Sequence, residues 1–587
     1  MCGFILAIGN VSKEEVFNAT NQIKHRGPDA TNYYFDEERK IYMGQNRLSI
    51  LDDKYGSQPF FSEDKKKILL FNGEIYNHKE IRDDLITKGI KFFSNNSDTE
   101  TLLKGYQFYG TKIFDYLDGQ FACVITDLDK NKIILGRDKF GEKPLFYHVG
   151  RDIITVCSEL SVFNKIKKIN LELSELSLQK YFIYSFVPAP NTIYQNINKL
   201  ECSHFCVIDI KSKLLQKSRY FNFENFNYSQ SKYSYKENIE QLDFLLNNSV
   251  KSRLISDKKV GVLLSGGIDS TLISYYAKKY NPNIDSFSIS IKKKSFDEGA
   301  KSKEIAEYLK IKSNLVNFDQ DDFKKNYDNI IRRLDEPIGA PTYLPLYVLS
   351  KEASKCCKTV LCGDGGDEIF GGYDLFKYIK LFKTLNLIFN NKTSGIFKSI
   401  IKKIPISEKN LSLDFKFRRF LQGMSEKSDY RNTMFLSPVS LEDLCSIFEK
   451  KINEEEVFED LLQFNKKYKN LSIYDKTILY YLNFYLPDLV CSRADKAGMY
   501  NSLEIRSPFL NQQIVKFALN LPINQKHSFF ETKKILRDLL KTKIDHKYID
   551  RGKLGFTFPL QSWLDIENKK TPLEDKYNFI TKMRIMH

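Results

Sequence analysis

The chain has 587 residues, of which 42% are hydrophobic and 28% are charged, a composition typical of a globular protein with two to four domains. Its net charge of +16 comes from lysines spread along the sequence; without a long basic block or an RNA-binding motif, we expect no nucleic-acid partner. No apolar stretch is long enough to span a bilayer, the N-terminus lacks a signal-peptide pattern, and ten irregularly spaced cysteines favour a reduced, cytoplasmic protein without membrane contacts.

The first part of the chain, residues 1–210, consists of short alternating apolar and polar runs separated by turn residues. This pattern predicts a largely antiparallel sheet domain. Examples of these runs lie at 67–78, 119–129 and 152–160, and predicted helices lie at about 14–24, 79–88 and 99–109. The Cys202-Ser-His204-Phe-Cys206 spacing resembles a metal motif, but the alternation of HFCVIDI favours a plain strand. A polar, aromatic and aperiodic stretch then predicts a linker over 211–236.

The second part, residues 237–587, alternates buried strands with amphipathic helices before helical patterns take over at 373. Predicted strands lie at 260–264, 285–291, 313–318 and 359–362, and predicted helices lie at 237–254, from 268 onward, 298–309 and 321–333. Strands that alternate with helices predict an α/β doubly wound parallel sheet. We therefore expect this sheet to be followed by a helical C-terminal part.

The segment LLSGGIDST (263–271) lies between a predicted buried strand and a predicted helix. Gly266 and Gly267 let backbone N–H groups approach an oxyanion, and the helix directs its positive end at the same place. Ser265 and Ser270 add hydroxyl donors. The carboxylate of Asp269 would repel phosphate unless Mg²⁺ lies between them. The segment is no Walker motif, because no GK[ST] follows; SGGxDS in this context resembles the ATP pyrophosphatases.

A second glycine-rich acidic turn, GDGGDEIFGGY (363–373), follows the last predicted strand. Open α/β sheets bind ligands at the carboxyl ends of their strands. We therefore expect Asp367 to lie close to Asp269, so that both carboxylates hold Mg²⁺ on pyrophosphate.

The chain begins Met1-Cys2, so removal of Met1 would make Cys2 the first residue. A cysteine thiolate is a good nucleophile. A free α-amine has a pKa of about 7.7–8.0 and can take the thiol proton near neutral pH. The N-terminus therefore predicts a nucleophile that needs no histidine.

Further fragments complete the pattern, namely HRGPD (25–29), NRLSILD (46–52), FNGEIYNH (71–78), SDTE (97–100) and RDKFGEKPLFY (137–147). Together with the SGGIDS and GDGGDE segments they resemble the glutamine-hydrolysing asparagine synthetases of the bacterial B type, over nearly the whole chain. The resemblance implies an α+β N-terminal-nucleophile sandwich, a class II glutamine amidotransferase, followed by the ATP pyrophosphatase sheet. It also implies an internal ammonia tunnel, and a homodimer is compatible with it.

The resemblance assigns residues to each half of the chain. For the glutaminase it implies Cys2 as nucleophile, Asn72 and Gly73 as the oxyanion hole, and glutamine binding by Arg47, Leu48, Ser49, Ile50, Leu51, Asn72, Gly73, Glu74 and Asp98. For the synthetase it implies Asp364 and Lys553 as catalytic residues, Asp269 and Asp367 as Mg²⁺ ligands, and ATP binding by Leu263, Ser265, Gly266, Gly267, Asp269, Ser270, Ile289, Cys362 and Gly363. The block at 489–510 supplies matches at Arg493, Asp495, Lys496, Glu504 and Arg506, some of which we expect only to tie helices together.

Three segments depart from the family pattern, and they put the acceptor acid in doubt. Cys362 stands where serine is common, DEPIGAPTYLP (335–345) keeps only its DEP opening, and Asn501 replaces His or Gly. The resemblance implies that ATP and a carboxylic acid, by default aspartate, form an acyl-adenylate that ammonia from glutamine converts to an amide.

Three rival hypotheses remain open. The first is a sugar uronic acid acceptor in surface polysaccharide synthesis, which a large pocket near 335–345 would favour. The second is a tRNA-modifying pyrophosphatase, which the complete glutaminase motif set and the missing CxxC pair disfavour. The third is a regulatory protein on a degenerate scaffold, which intact Cys2, Asn72, Asp269 and Asp367 disfavour.

Overall fold

A computed structural model gives the fold of the chain. It describes residues 2–53, 55–223, 226, 228, 231–293, 295–377, 379, 413–424, 429–528, 531–549 and 558–563.

Two antiparallel six-stranded sheets form the first unit. The strands are β1 (Cys2–Gly9), β2 (Ala30–Asp36), β3 (Ile41–Arg47), β4 (Phe60–Phe61), β5 (Lys67–Ile75), β6 (Gly119–Asp127), β7 (Lys132–Arg137), β8 (Phe146–Val149), β9 (Ile153–Cys157), β10 (Asn198–Lys199), β11 (His204–Asp209) and β12 (Leu215–Arg219). One sheet has the order β10-β8-β9-β1-β3-β2 and the other β12-β11-β7-β6-β5-β4. β11 is the strand that HFCVIDI predicts.

The two sheets pack face to face, because alternate residues of their strands are apolar and point inward. Leu6 and Met43 of one sheet belong to the same buried cluster as Ile68, Leu70 and Val124 of the other. The helix Lys13–Gln22 covers the outer face of the first sheet, and the helices His78–Thr87 and Asp98–Tyr109 cover the outer face of the second. The predicted α+β sandwich is confirmed.

Shorter helical elements complete the first unit. They are the α-helices Ile113–Tyr116 and Glu175–Tyr184 and the 3₁₀ turns Lys24–Arg26, Gly110–Lys112 and Leu160–Lys165.

A five-stranded parallel sheet forms the centre of the second unit. Its strands are β13 (Val260–Leu263), β14 (Asp285–Ser290), β15 (Lys312–Asn317), β16 (Thr359–Leu361) and β17 (Glu504–Arg506), in the order β15-β14-β13-β16-β17. The helices among them are Tyr235–Arg253, Ile268–Tyr280, Gly299–Tyr308, Gln320–Arg333 and Tyr343–Ser354. The predicted doubly wound sheet is confirmed, with each predicted strand and helix within a few residues of its place.

Two strands lie in segments for which the sequence predicts a different structure. β12 falls inside the segment 211–236, so the antiparallel sheet continues to Arg219. β17 falls inside the predicted helical part and pairs with β16. Both are edge strands of five or fewer residues; β12 is polar, and β17 is too short to show a period. Their conformation is set by pairing with a neighbour rather than by local pattern.

In the rest of the second unit the described residues are mainly helical, as the sequence predicts. The helices are Gly366–Phe370, Leu413–Met424, Arg431–Leu436, Leu441–Phe448, Glu454–Val457, Glu459–Lys467, Ile473–Tyr480, Ser492–Met499, Gln512–Asn520, Ile523–Lys526, Lys534–Lys541 and Leu560–Trp563, with 3₁₀ turns Pro508–Leu510 and His546–Tyr548. A π-helical stretch, Tyr481–Cys491, contains Pro487 and leads directly into Ser492–Met499. Across the described residues, none of the helices is both long and apolar enough to cross a membrane.

Candidate active sites

Cys2 lies at one end of the sandwich and contacts residues from both sheets. It is 5% exposed and stands opposite Arg47 in the β1–β3 pairing. Its backbone nitrogen donates to Oδ1 of Asn72 on β5 at 3.0 Å. Because β1 and β5 belong to facing sheets, this bond places the nucleophile beside the predicted oxyanion hole.

Asn72 presents a donor of the kind that a tetrahedral oxyanion needs, and Gly73 follows it on β5. Asn72 is fully buried, and within the described part of the chain its Nδ2 has no hydrogen-bond partner. An unpaired buried donor costs free energy, and an oxyanion would supply the missing acceptor. At Gly73, φ is +152° and a Cβ atom would overlap the carbonyl oxygen of Gln120, so only glycine fits there.

Arg47 organises the loop that follows β3. Its guanidinium donates to the backbone carbonyl oxygens of Leu51 at 3.2 Å, Asp52 at 2.7 Å and Asp53 at 3.0 Å. The predicted residues Leu48, Ser49 and Ile50 lie between Arg47 and these carbonyl groups, in the loop that the hydrogen bonds close. A fixed cation at this end of the sandwich suits the α-carboxylate of glutamine.

Glu74 and Asp98 form a buried acidic pair beside this end of the sandwich. Burial, reinforced by the charge of Asp98, raises the pKa of Glu74 well above its usual range, and burial also raises the pKa of Asp98. Oε2 of Glu74 accepts from Arg506 at 3.2 Å, whereas Oε1 is buried with no partner among the described residues. A bound ammonium group would stabilise both ionised carboxylates, as the glutamine-binding prediction requires.

The phosphate loop follows β13 as the sequence predicts. Oγ of Ser265 lies 3.0 Å from Oγ of Ser270, and Gly267 donates to Ser265 at 3.3 Å. Gly266 has φ of +77°, in the left-handed region that favours glycine. Gly267 then caps the 13-residue helix Ile268–Tyr280, so the positive end of that helix faces the loop.

The other predicted ATP residues lie at or near the carboxyl ends of three adjacent strands. Leu263 ends β13, Ile289 lies near the end of β14, and Cys362 and Gly363 follow β16. A Cβ atom on Gly363 would lie 2.9 Å from Cβ of Asp269. The glycines of the second acidic turn therefore allow it to pack against the phosphate loop.

Lys533 is a functional candidate that the sequence analysis missed. Its Nζ forms ion pairs with Asp269 and, at 2.7 Å, with Asp367. Although burial lowers the pKa of Lys533, the charges of the two aspartates raise it above its usual range. In the sequence Lys533 is one of many lysines, and it lies 264 residues after Asp269. Only the fold brings the two side chains together.

The two aspartates fit a Mg²⁺ site completed by a phosphate ligand. They lie close enough to share one lysine ammonium, so they could share one metal cation. Among the described residues, no group of three or more His, Cys, Asp or Glu side chains could hold a metal. Mg²⁺ commonly takes one or two carboxylates and completes its shell with phosphate oxygens and water.

Asp364 lies on the opposite side of the acidic turn and pairs with Arg493 at 3.2 Å. Arg493 also donates to Oγ1 of Thr342 at 2.8 Å, while its buried Nε has no partner among the described residues. These contacts join the GDGGDE turn, the 335–345 segment and the helix Ser492–Met499. The predicted catalytic Lys553 lies outside the described residues. Cys362 lies 3.2 Å from Oγ of Ser507.

Of the other residues of the 489–510 block, Asp495, Glu504 and Arg506 link the two units, whereas Lys496 forms an ion pair within the second unit. Asp495 accepts two hydrogen bonds from Arg26, at 2.9 and 3.0 Å. Lys496 pairs with Asp335. Glu504 accepts from Gln120 at 2.9 Å, and Arg506 reaches Glu74.

Comparison with known proteins identifies the family. The family model described as asparagine synthase matches residues 241–578, and the model described as glutamine amidotransferase domain matches residues 1–221. The first match covers more than half of the chain. The chain belongs to the asparagine synthase family and contains a glutamine amidotransferase domain, so it is an enzyme of the glutamine-dependent amidotransferase class.

Relatives of known name align over most of the chain. A Bacillus subtilis protein named asparagine synthetase (glutamine-hydrolyzing) 1 is 31% identical over 97% of this chain and 88% of its own length. A second B. subtilis protein, asparagine synthetase (glutamine-hydrolyzing) 2, is 27% identical over 91% of this chain and 68% of its own length. A Gibberella zeae protein named amidase chry2 is 25% identical over 94% of this chain and 86% of its own length.

Asn72→Asp separates the two hydrogen-bonding roles of this side chain. Aspartate keeps the acceptor for the Cys2 nitrogen and removes the Nδ2 donor. We expect glutamine hydrolysis to slow about 10²–10³-fold, as for loss of one oxyanion donor, while amide synthesis from added ammonia is unchanged. Steady-state assays with glutamine and with ammonia check this. An Asn72→Asp enzyme with full glutaminase activity would contradict the role.

Lys533→Ala should impair the synthetase half whichever nitrogen source is used. Loss of the cation beside Asp269 and Asp367 weakens binding of the departing pyrophosphate, so we expect pyrophosphate release to fall about 10²-fold with a higher KM for ATP. The neighbouring Lys534→Ala removes the same charge outside this cluster and serves as the control. Equal behaviour of the two variants would refute a role for Lys533.

Proposed function

We propose that the enzyme hydrolyses glutamine at Cys2 and uses the ammonia to convert aspartate to asparagine through an aspartyl-adenylate. ATP and Mg²⁺ are the proposed co-substrate and cofactor. The observation that carries the proposal is the presence, in one chain, of the Cys2–Asn72 nucleophile site and the Asp269–Asp367–Lys533 phosphate site.

The glutaminase half-reaction uses residues at the end of the sandwich. After removal of Met1, the α-amine of Cys2 takes the thiol proton, and the thiolate attacks the side-chain carbonyl carbon of glutamine. Asn72 and Gly73 donate to the oxyanion. Collapse of this intermediate releases ammonia and leaves a thioester, which water hydrolyses to glutamate.

The synthetase half-reaction uses residues at the carboxyl edge of the parallel sheet. The acceptor carboxylate attacks the α-phosphorus of ATP, and pyrophosphate leaves. Lys533 and the phosphate loop stabilise charge on the departing group, and Mg²⁺ held by Asp269 and Asp367 would neutralise more of it. Ammonia then attacks the acyl carbon, and AMP leaves with the electron pair of the acyl–phosphate bond.

The charges at the acceptor side favour aspartate over a sugar uronic acid. The side-chain carboxylate of aspartate reacts in adenylation, which leaves the α-carboxylate and the α-ammonium group to bind the enzyme. Arg493, with an unused buried Nε donor, suits the α-carboxylate, and Asp364 suits the ammonium. A uronic acid has one carboxylate, which the reaction consumes, so it would bring no second carboxylate to Arg493, whose ion pair with Asp364 would remain as it is. The names of the two B. subtilis relatives also support aspartate.

The acceptor is tested by pyrophosphate release from ATP, Mg²⁺ and glutamine with different acids. We expect turnover with aspartate, with asparagine identified by mass, and no turnover with uronic acids or nucleotide-linked uronates. Succinate, which lacks the ammonium, and β-alanine, which lacks the α-carboxylate, should be poor acceptors. Turnover with a uronate and none with aspartate would overturn the assignment and move the enzyme into polysaccharide synthesis.

A further inference from the structure

A cleft lies between the two units, apart from both sets of active-site residues. Its space is about 290 Å³, and its walls include His25, Glu159, Ser161, Arg332, Arg333 and Tyr500. This volume is at the small end of the range typical of small-molecule sites, roughly 300–1,000 Å³. The cleft therefore suits a ligand of amino-acid size better than a nucleotide.

One wall of the cleft is cationic. Arg332 and Arg333 are exposed at the end of the helix Gln320–Arg333. The ion pairs and side-chain hydrogen bonds found among the described residues involve neither guanidinium. Both are therefore available to bind a carboxylate, the anion that guanidinium geometry suits best.

The inner wall contains an incompletely paired carboxylate. Glu159 is 2% exposed; its Oε1 accepts from Arg26 at 2.9 Å and lies 2.9 Å from Nε2 of His25. Despite burial, these neighbours lower the pKa of Glu159 to about 2, so the group is ionised. Within the described part of the chain its Oε2 has no partner. A buried carboxylate oxygen without a donor is unfavourable.

We propose that this cleft binds a free zwitterionic α-amino acid, with its carboxylate on Arg332 and Arg333 and its ammonium on Oε2 of Glu159. The exposed amides of Gln22 and Asn164, which also line the cleft, suit a polar side chain. An inorganic anion would satisfy the arginines and leave Oε2 of Glu159 without a donor. The charge pattern thus selects for a ligand that carries both signs.

The walls of the cleft are connected to both sets of active-site residues, so a bound ligand can influence both half-reactions. His25 adjoins Arg26, whose Nε donates to the carbonyl oxygen of Cys2 at 3.3 Å. Asp335, at the start of the 335–345 segment, accepts from the backbone of Ser161 at 3.2 Å. The site is therefore regulatory in kind, and it does not rest on the identity of the acceptor acid.

Binding to the full-length chain tests the site directly. Cys2 is first alkylated with a reactive glutamine analogue, which blocks the glutaminase site, and amino acids are then titrated by calorimetry. We expect Arg332→Ala/Arg333→Ala to raise the Kd of at least one amino acid tenfold or more. Lys303→Ala/Lys325→Ala removes the same charge from exposed helical positions outside the cleft and should leave Kd unchanged. Binding at the acceptor site is recognised because neither double variant alters it.

A second variant keeps the arginines and fills the space. Ser161→Trp should abolish the same arginine-dependent binding, while pyrophosphate release at saturating substrates persists in both cleft variants. The proposal is overturned if no amino acid binds in an arginine-dependent way, or if Ser161→Trp binds as the parent does. It is equally overturned if inorganic phosphate competes with equal affinity, because the cleft would then be a simple anion site.

Discussion

The buried guanidinium of Arg26 is one of the contacts that fix the two catalytic units relative to each other, and it lies beside Cys2. It is fully buried and pairs with Glu159 of the first unit and with Asp495 of the second, while its Nε reaches the carbonyl oxygen of Cys2. Burial alone would lower the pKa of Arg26, but Asp495 and Glu159 raise it, so the charge persists. Removing one partner of such a buried pair typically costs about 3–5 kcal/mol. The strand that carries the nucleophile is therefore fixed to the synthetase unit.

Arg506 forms a second buried ion pair between the two units, and here the arginine belongs to the synthetase unit. It lies on β17 of the parallel sheet, yet it pairs with Glu74, a residue proposed to bind glutamine. Glu504, on the same strand, pairs with Arg506 and accepts from Gln120, which packs against Gly73. The glutaminase site is thus completed by a strand of the synthetase unit. The proposed glutamine site therefore includes contacts from both units of the chain.

The sequence predicts most of the fold, because long amphipathic helices and buried strands have clear periods. It also singles out candidate catalytic segments, because open α/β sheets bind ligands at the carboxyl ends of their strands. It does not predict β17, whose three residues carry no period, or β12, a polar edge strand. Nor could it find Lys533 or the partners of Arg26, since those contacts join residues hundreds of positions apart. Pairings of this type depend on the tertiary fold, whereas the SGGIDS and MCGF segments can be recognised from residues that are adjacent in the sequence.

The most direct test of the two-site account is to measure whether the Cys2→Ala variant forms the amide from glutamine, from added ammonia, or from both. The account predicts that amide formation from glutamine disappears while amide formation from added ammonia, and its ATP consumption, stay at the parent level. Cys123→Ala, which changes a buried cysteine of β6 that packs in the cluster with the helices on the outer face of that sheet, should keep both activities. Loss of both activities in a folded Cys2→Ala protein, or retention of the glutamine-dependent one, would contradict the division of labour between the units.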